Sequence, residues 1–156
     1  MLLLIGLGLN DEKDISLKGL EEAKSCEKIY CETYTSLWRG DLKLLEKLIG
    51  KEIKMLERRT LEEFSSKLIE EAKSKKVCIL VPGDPLVATT HISLLLEAKK
   101  RGIETSVIHS SSIISAVAET GLQIYKFGKT VTIPLPEKTK GKLPISVYDT
   151  IKDNKE

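Results

Sequence analysis

The chain has 156 residues and carries 25 Lys or Arg against 23 Asp or Glu, a formal net charge of +2. With 41% apolar and 31% charged residues, the composition is that of a globular protein, long enough to bury roughly 68–70% of its unfolded surface. The near-neutral balance argues against a general nucleic-acid or membrane binder, which needs a strongly basic surface. The opening run Met1–Asn10 has no basic leader or small-residue cleavage site, and it is far shorter than the roughly 20 apolar residues that span a bilayer.

Taken in order, apolar runs alternate with segments of helical period. Leu2–Leu7 is a continuous apolar run, expected as a strand buried on both faces. Ser16–Ser25 follows with Leu17, Leu20 and Ala23 as a helical stripe and Ser16 as N-cap. Lys28–Cys31 reads as a short strand, Leu42–Ile49 as a helix closed by Gly50, and Glu52–Leu56 as another short strand. Thr60 with Glu63 forms a capping box that opens a helix striped by Leu61, Phe64, Leu68, Ile69 and Ala72. Val77–Val81 is a second fully apolar strand, Thr89–Arg101 a helix, Glu104–His109 a strand, and Ser111–Thr120 a helix ended by Gly121.

This alternation predicts an α/β fold, a mostly parallel sheet with helices on both faces and right-handed crossovers. Residues 1–120 form the expected N-terminal α/β domain. Residues 121–156 are expected to hold a linker and the beginning of a second domain, with Thr130–Leu135 as a strand-like run and Ile145–Glu156 as a helix. Cys26, Cys31 and Cys78 are odd in number and scattered, the usage of buried, reduced thiols in a cytosolic protein. Two histidines and the lack of a C-x-x-C pair make a structural zinc site unexpected.

Ligands of open α/β sheets lie beyond the carboxyl ends of the strands, and three such loops stand out. Gly6-Leu7-Gly8-Leu9 lets a ligand approach the backbone, but Asp11 stands where a dinucleotide fingerprint needs its third glycine. Pro82-Gly83-Asp84-Pro85 is a rigid turn that aims one carboxylate. Asp84 suits a ribose hydroxyl pair or a cation, or it serves only the turn's own amides. His109-Ser110-Ser111-Ser112-Ile113 enters a helix, where Ser110 and Ser111 suffice as plain N-caps. His91 and His109 are expected to be packed and satisfied. A fourth segment, Glu32-Thr33-Tyr34-Thr35-Ser36 with Trp38 behind it, is either a polar channel lining or a capped loop with an anchoring aromatic. There is no P-loop, and neither a Ser-His-Asp order nor a carboxylate pair is assignable.

Together these segments resemble the diphthine synthase family. The resemblance rests on IGLGLNDEKDIS at Ile5–Ser16, ETYTS at Glu32–Ser36, LIGKEI at Leu48–Ile53, PGDPLVATTH at Pro82–His91, EAKKRGIE at Glu97–Glu104 and TGLQIYKFGKT at Thr120–Thr130. Other tetrapyrrole-methylase-type transferases share the first glycine loop and the Gly-Asp turn but not the later stretches. The resemblance implies a homodimeric, cytoplasmic methyltransferase that uses S-adenosyl-L-methionine. Its substrate would be the amino group of a modified histidine on translation elongation factor 2, on the way to diphthamide. By motif position it places cofactor contacts on Leu9, Asp84, Val87, Ser112 and Ile113, and it names no catalytic residue and no metal. Family members are some hundred residues longer, which implies a chain truncated after its first domain. A methylase of a tetrapyrrole or corrin and a non-catalytic binding or dimerisation module are the competing readings.

Overall fold

The computed structural model describes residues 1–62, 65–134, 136, 139, 141–142 and 144–154. The chain divides into two compact units, Met1–Ala116 and Val117–Glu156.

The first unit is built on five strands: β1 (Leu2–Gly6), β2 (Lys28–Cys31), β3 (Lys54–Met55), β4 (Val77–Val81) and β5 (Thr105–Ile108). They lie side by side in the order β3-β2-β4-β1-β5, and every neighbouring pair is parallel. The two most apolar runs therefore occupy the sheet interior, β1 pairing with β4 from Leu2↔Val77 to Gly6↔Val81. All ten of their residues are buried. Alternate side chains leave a strand on opposite faces, and two cores follow from that period. Leu2, Leu4, Val77, Ile79 and Val81 pack against α4 (Ser66–Ser74) and α5 (Ile92–Lys100) through Leu68, Ile69, Leu94 and Ala98. Leu3, Ile5, Cys78 and Leu80 pack against α1 (Leu17–Ser25) and α2 (Leu42–Ile49) through Ala23, Leu45 and Ile49. All three cysteines are free and buried.

Local signals account for most boundaries. Ser16 caps α1 by accepting from the Gly19 amide at 3.0 Å, and Asp41 caps α2 by accepting from the Lys43 amide at 2.7 Å. Three expectations need correction. Thr60 lies inside α3 (Arg58–Glu62) rather than ahead of it, because the Leu61 amide already bonds the Glu57 carbonyl; Glu63 and Phe64 lie outside the described residues. The helix expected from Thr89 starts at Ile92, since Ala88 takes a left-handed φ of 55° and interrupts the turn before it. The helix expected from Ser111 starts at Ile113 as α6 (Ile113–Ala116), because the Ser110 amide is drawn to the Asp84 carboxylate.

In the second unit, α7 (Ile145–Asp153) buries Val147 and Thr150 and follows two 3-10 turns, Val117–Thr120 and Ile124–Lys126. The Asn154 side chain clasps Lys129, accepting from its amide at 2.9 Å and donating to its carbonyl at 2.7 Å. The strand-like run is not a strand over its described residues 130–134. β-branched composition makes a strand only where a neighbour supplies the ladder, and Pro134 removes one of the needed donors. Among the described residues, no helix is long and apolar enough to cross a membrane.

Candidate functional site

β1 and β4 are adjacent and parallel, so their following loops leave the sheet at the same edge. Gly6 is where those loops crowd together. A Cβ there would lie 2.6 Å from the Gly83 carbonyl oxygen and 2.6 Å from the Ser110 Cβ, so only a residue without a side chain lets three loops meet. One step further, Gly8 and Gly83 form an antiparallel bridge, with the Gly83 amide donating to the Gly8 carbonyl at 2.7 Å. Gly83 has φ +71° and open space where a Cβ would stand, so its bare backbone faces outward from the turn.

Asp84 follows, held almost out of solvent. Its Oδ1 accepts from the Leu86 amide at 2.9 Å; its Oδ2 accepts from the Ser110 amide at 3.2 Å and pairs with His109 Nδ1 at 2.8 Å. The carboxylate therefore serves its own turn and also sews the β4 loop to the β5 loop. A carboxylate has about four acceptor positions, so Oδ1 keeps one for a further donor. His109 is not packed as the sequence suggests: its side chain is 67% exposed, and the carboxylate alone orients it. Neither Ser110 nor Ser111 caps α6. The buried Ser112 sits at that position, its amide bonded to the Ser115 hydroxyl at 2.9 Å.

The fourth loop is organised by Glu32, which is wholly buried just beyond β2. Its backbone amide continues the sheet by donating to the Leu80 carbonyl at 3.1 Å. Its side chain turns forward: Oε2 accepts from the Tyr34 and Thr35 amides at 3.2 Å each, and Oε1 accepts from the Thr35 hydroxyl at 2.5 Å. His91 Nε2 completes the set at 3.1 Å from Oε1. Beside it, burial above all pushes the Cys31 thiol up to about 12, so this cysteine is no nucleophile.

The four loops enclose a cleft of about 150 Å³. Leu9, Asp84, Val87, Ser112 and Ile113 all line it, so the structure brings the five positions singled out in the sequence to one place. Thr35, Ser36, Leu37 and Trp38 form a further wall, and Ala88 and Thr89 extend the β4 loop. The strained Ala88, whose φ costs ~1–2 kcal/mol, is the one non-glycine at positive φ among the described residues. That feature and the Glu32–His91 pairing carry no local sequence signal. Hydroxyls, one carboxylate and apolar patches alternate around the cleft, and the indole Nε1 of Trp38 is a buried donor without a partner. Among the described residues, no group of three or more His, Cys, Asp or Glu is placed to hold a metal ion.

Comparison with known proteins agrees with this architecture. The curated diphthine synthase of Methanocaldococcus jannaschii is 51% identical over 157 residues, covering 100% of this chain and 60% of that protein. The diphthine synthase of Methanococcus aeolicus is 49% identical over 155 residues, again with 60% of its length covered. The chain thus spans about 60% of the length of the curated relatives it matches. A crystal structure of diphthine synthase superposes with a TM-score of 0.88 at 44% identity, covering 98% of this chain and 59% of that one. The profile of the Tetrapyrrole (Corrin/Porphyrin) Methylases matches residues 1–156. A parallel sheet with glycine-rich loops gathered at one edge, and a family match along its whole length, place this chain in the tetrapyrrole methylase family.

Proposed function

We propose that the chain is the cofactor-binding part of an S-adenosyl-L-methionine-dependent methyltransferase of diphthamide biosynthesis. Its protein substrate would be translation elongation factor 2, methylated on the amino group of a modified histidine. A homodimer working in the cytoplasm belongs to the same reading, and so does the division of the chain into a first domain and the beginning of a second.

One observation carries the proposal: five positions from three separate loops line a single cleft at the carboxyl edge of the parallel sheet. The donor and acceptor set fits a nucleoside. Asp84 Oδ1 has acceptor capacity left for a ribose hydroxyl, and the uncovered backbone of Gly83 admits a flat group at close range. Leu9, Val87 and Ile113 supply apolar contact for a base. When bound, the cofactor supplies an electrophilic methyl on a sulfonium. The chain's own contribution is then binding, orientation and exclusion of water, because positioning supplies most of the rate in such a transfer. The names of the relatives support the diphthamide assignment over a tetrapyrrole substrate.

Isothermal calorimetry with S-adenosylhomocysteine tests the site. Wild-type protein binds it, and Asp84→Ala weakens binding at least about tenfold, the effect of losing a charge-assisted hydrogen bond. Equal affinity in the variant would remove Asp84 from the site. Transfer of labelled methyl to elongation factor 2, set against a corrin substrate, decides between the two methylase readings.

A further inference from the structure

The sequence has two histidines, and each pairs with a carboxylate just beyond a strand end. The Asp84 pair belongs to the site already described. The other pair is buried more deeply: side-chain exposure is 1% for His91 and 0% for Glu32, yet neither residue lines the cleft. Burying a carboxylate and an imidazole out of water costs several kcal/mol unless hydrogen bonds replace the lost hydration. The bonds that replace it come to Glu32 from two amides and a hydroxyl of its own loop and from the His91 ring, whose Nδ1 is buried without a partner.

The donors define the arrangement. Two amides and a hydroxyl already donate to Glu32, so its oxygens act only as acceptors, and His91 Nε2 must carry a proton to bond Oε1. Both ends of this contact are fixed. Glu32 is tied through its backbone to β4, and His91 opens α5, with its carbonyl accepting from the Leu94 amide at 3.1 Å. From the Glu32 end of this contact runs the segment from Thr35 to Trp38. Its far end is held where the Arg39 amide meets the Asn10 carbonyl at 3.3 Å, and its near end is held by Glu32. On the other side of the same pair, Val87–Thr89 runs into His91 and forms the facing part of the cleft.

We propose that His91 and Glu32 form a positioning latch that locks the 35–38 loop against the 87–89 turn and so sets the cleft in its binding shape. The cleft's role as the cofactor site is taken from the proposed function, and only the ligand-binding readout below depends on it.

Trp38 is the single tryptophan of the chain and stands on the latched loop, so its fluorescence reports the loop without any ligand. Three variants of the full chain separate the roles. His91→Met keeps an apolar side chain of similar size without the donor, His91→Gln restores a donor at the Nε2 position, and Thr35→Val loosens the loop from outside the buried pair. In folded His91→Met, acrylamide quenching of Trp38 rises at least about twofold and S-adenosylhomocysteine affinity falls about tenfold, the weight of one buried hydrogen bond to a charged group. His91→Gln returns both to within about twofold of wild type. A folded His91→Met with wild-type quenching overturns the latch. If His91→Met does not fold, Thr35→Val decides: increased quenching supports the latch, and unchanged quenching overturns it. A wild-type protein that binds no S-adenosylhomocysteine sinks the functional proposal and leaves the fluorescence test of the latch intact.

Discussion

Two carboxylate–histidine pairs flank one cleft, and they are unlike where it matters. Asp84 and His109 are the closer pair, 2.8 Å against 3.1 Å for Glu32 and His91, but the His109 ring is 67% exposed while the His91 ring is 1% exposed. Distance is a poor guide to weight. Water can replace His109, whose loss leaves Asp84 with the Leu86 and Ser110 amides. Loss of His91 leaves Glu32 with the Tyr34 and Thr35 amides and the Thr35 hydroxyl, but at 0% exposure the carboxylate draws no replacement donor from bulk water.

The sharpest way to break the comparison is Glu32→Ala. It strands two amides, the Thr35 hydroxyl and the His91 ring together, and breaking a buried pair should cost roughly 3–5 kcal/mol in urea unfolding; a loss no larger than that of Asp84→Ala would put the two pairs on equal footing. Asp84→Ala removes the tie between the β4 and β5 loops at a partly solvated edge, for an expected loss of about 1.5–3 kcal/mol. A third carboxylate contact lies outside the cleft and sharpens the contrast. The Tyr30 hydroxyl donates to Glu71 Oε2 at 2.6 Å, and burial first, then that bond, raises it from 10.0 to about 12. A raised group contributes its full stability below the unfolded value and loses it as pH climbs. Wild-type stability should therefore decline between pH 10 and 12 relative to Tyr30→Phe, as followed by chemical denaturation, and parallel curves would refute the assignment. Tyr30→Phe at neutral pH should cost about 0.5–1.5 kcal/mol. His109→Ala, at the exposed end of the series, should change stability by no more than about 0.5 kcal/mol, and a larger loss in thermal melts would show that solvent does not replace this ring.

What could be read in the sequence, and what could not, divides by range. β1 and β4 were legible because a five-residue apolar run is too short for a buried helix and fits a strand covered on both faces. The stripes of α1, α2 and α4 and the cap at Ser16 follow from neighbours three or four residues apart. The loops at Gly6, Gly83 and Ser112 were legible as strand ends, and a parallel sheet converges its strand ends by construction. Two of the misreadings have another cause. The helix does not open at Ser111 because the Ser110 amide is drawn to Asp84, 26 residues earlier, and the 130–134 run stays irregular without a partner strand. The Glu32–His91 contact spans 59 residues, and no local periodicity encodes such a pairing.

Gly6 has a wider meaning for how such a site can vary. With the Gly83 carbonyl oxygen and the Ser110 Cβ each 2.6 Å from where a first carbon would stand, the spacing of the three loops at this junction is already at its minimum. Substitutions at the lining positions can retune which molecule is admitted, whereas the junction at Gly6 offers no side chain through which the loops could be moved apart.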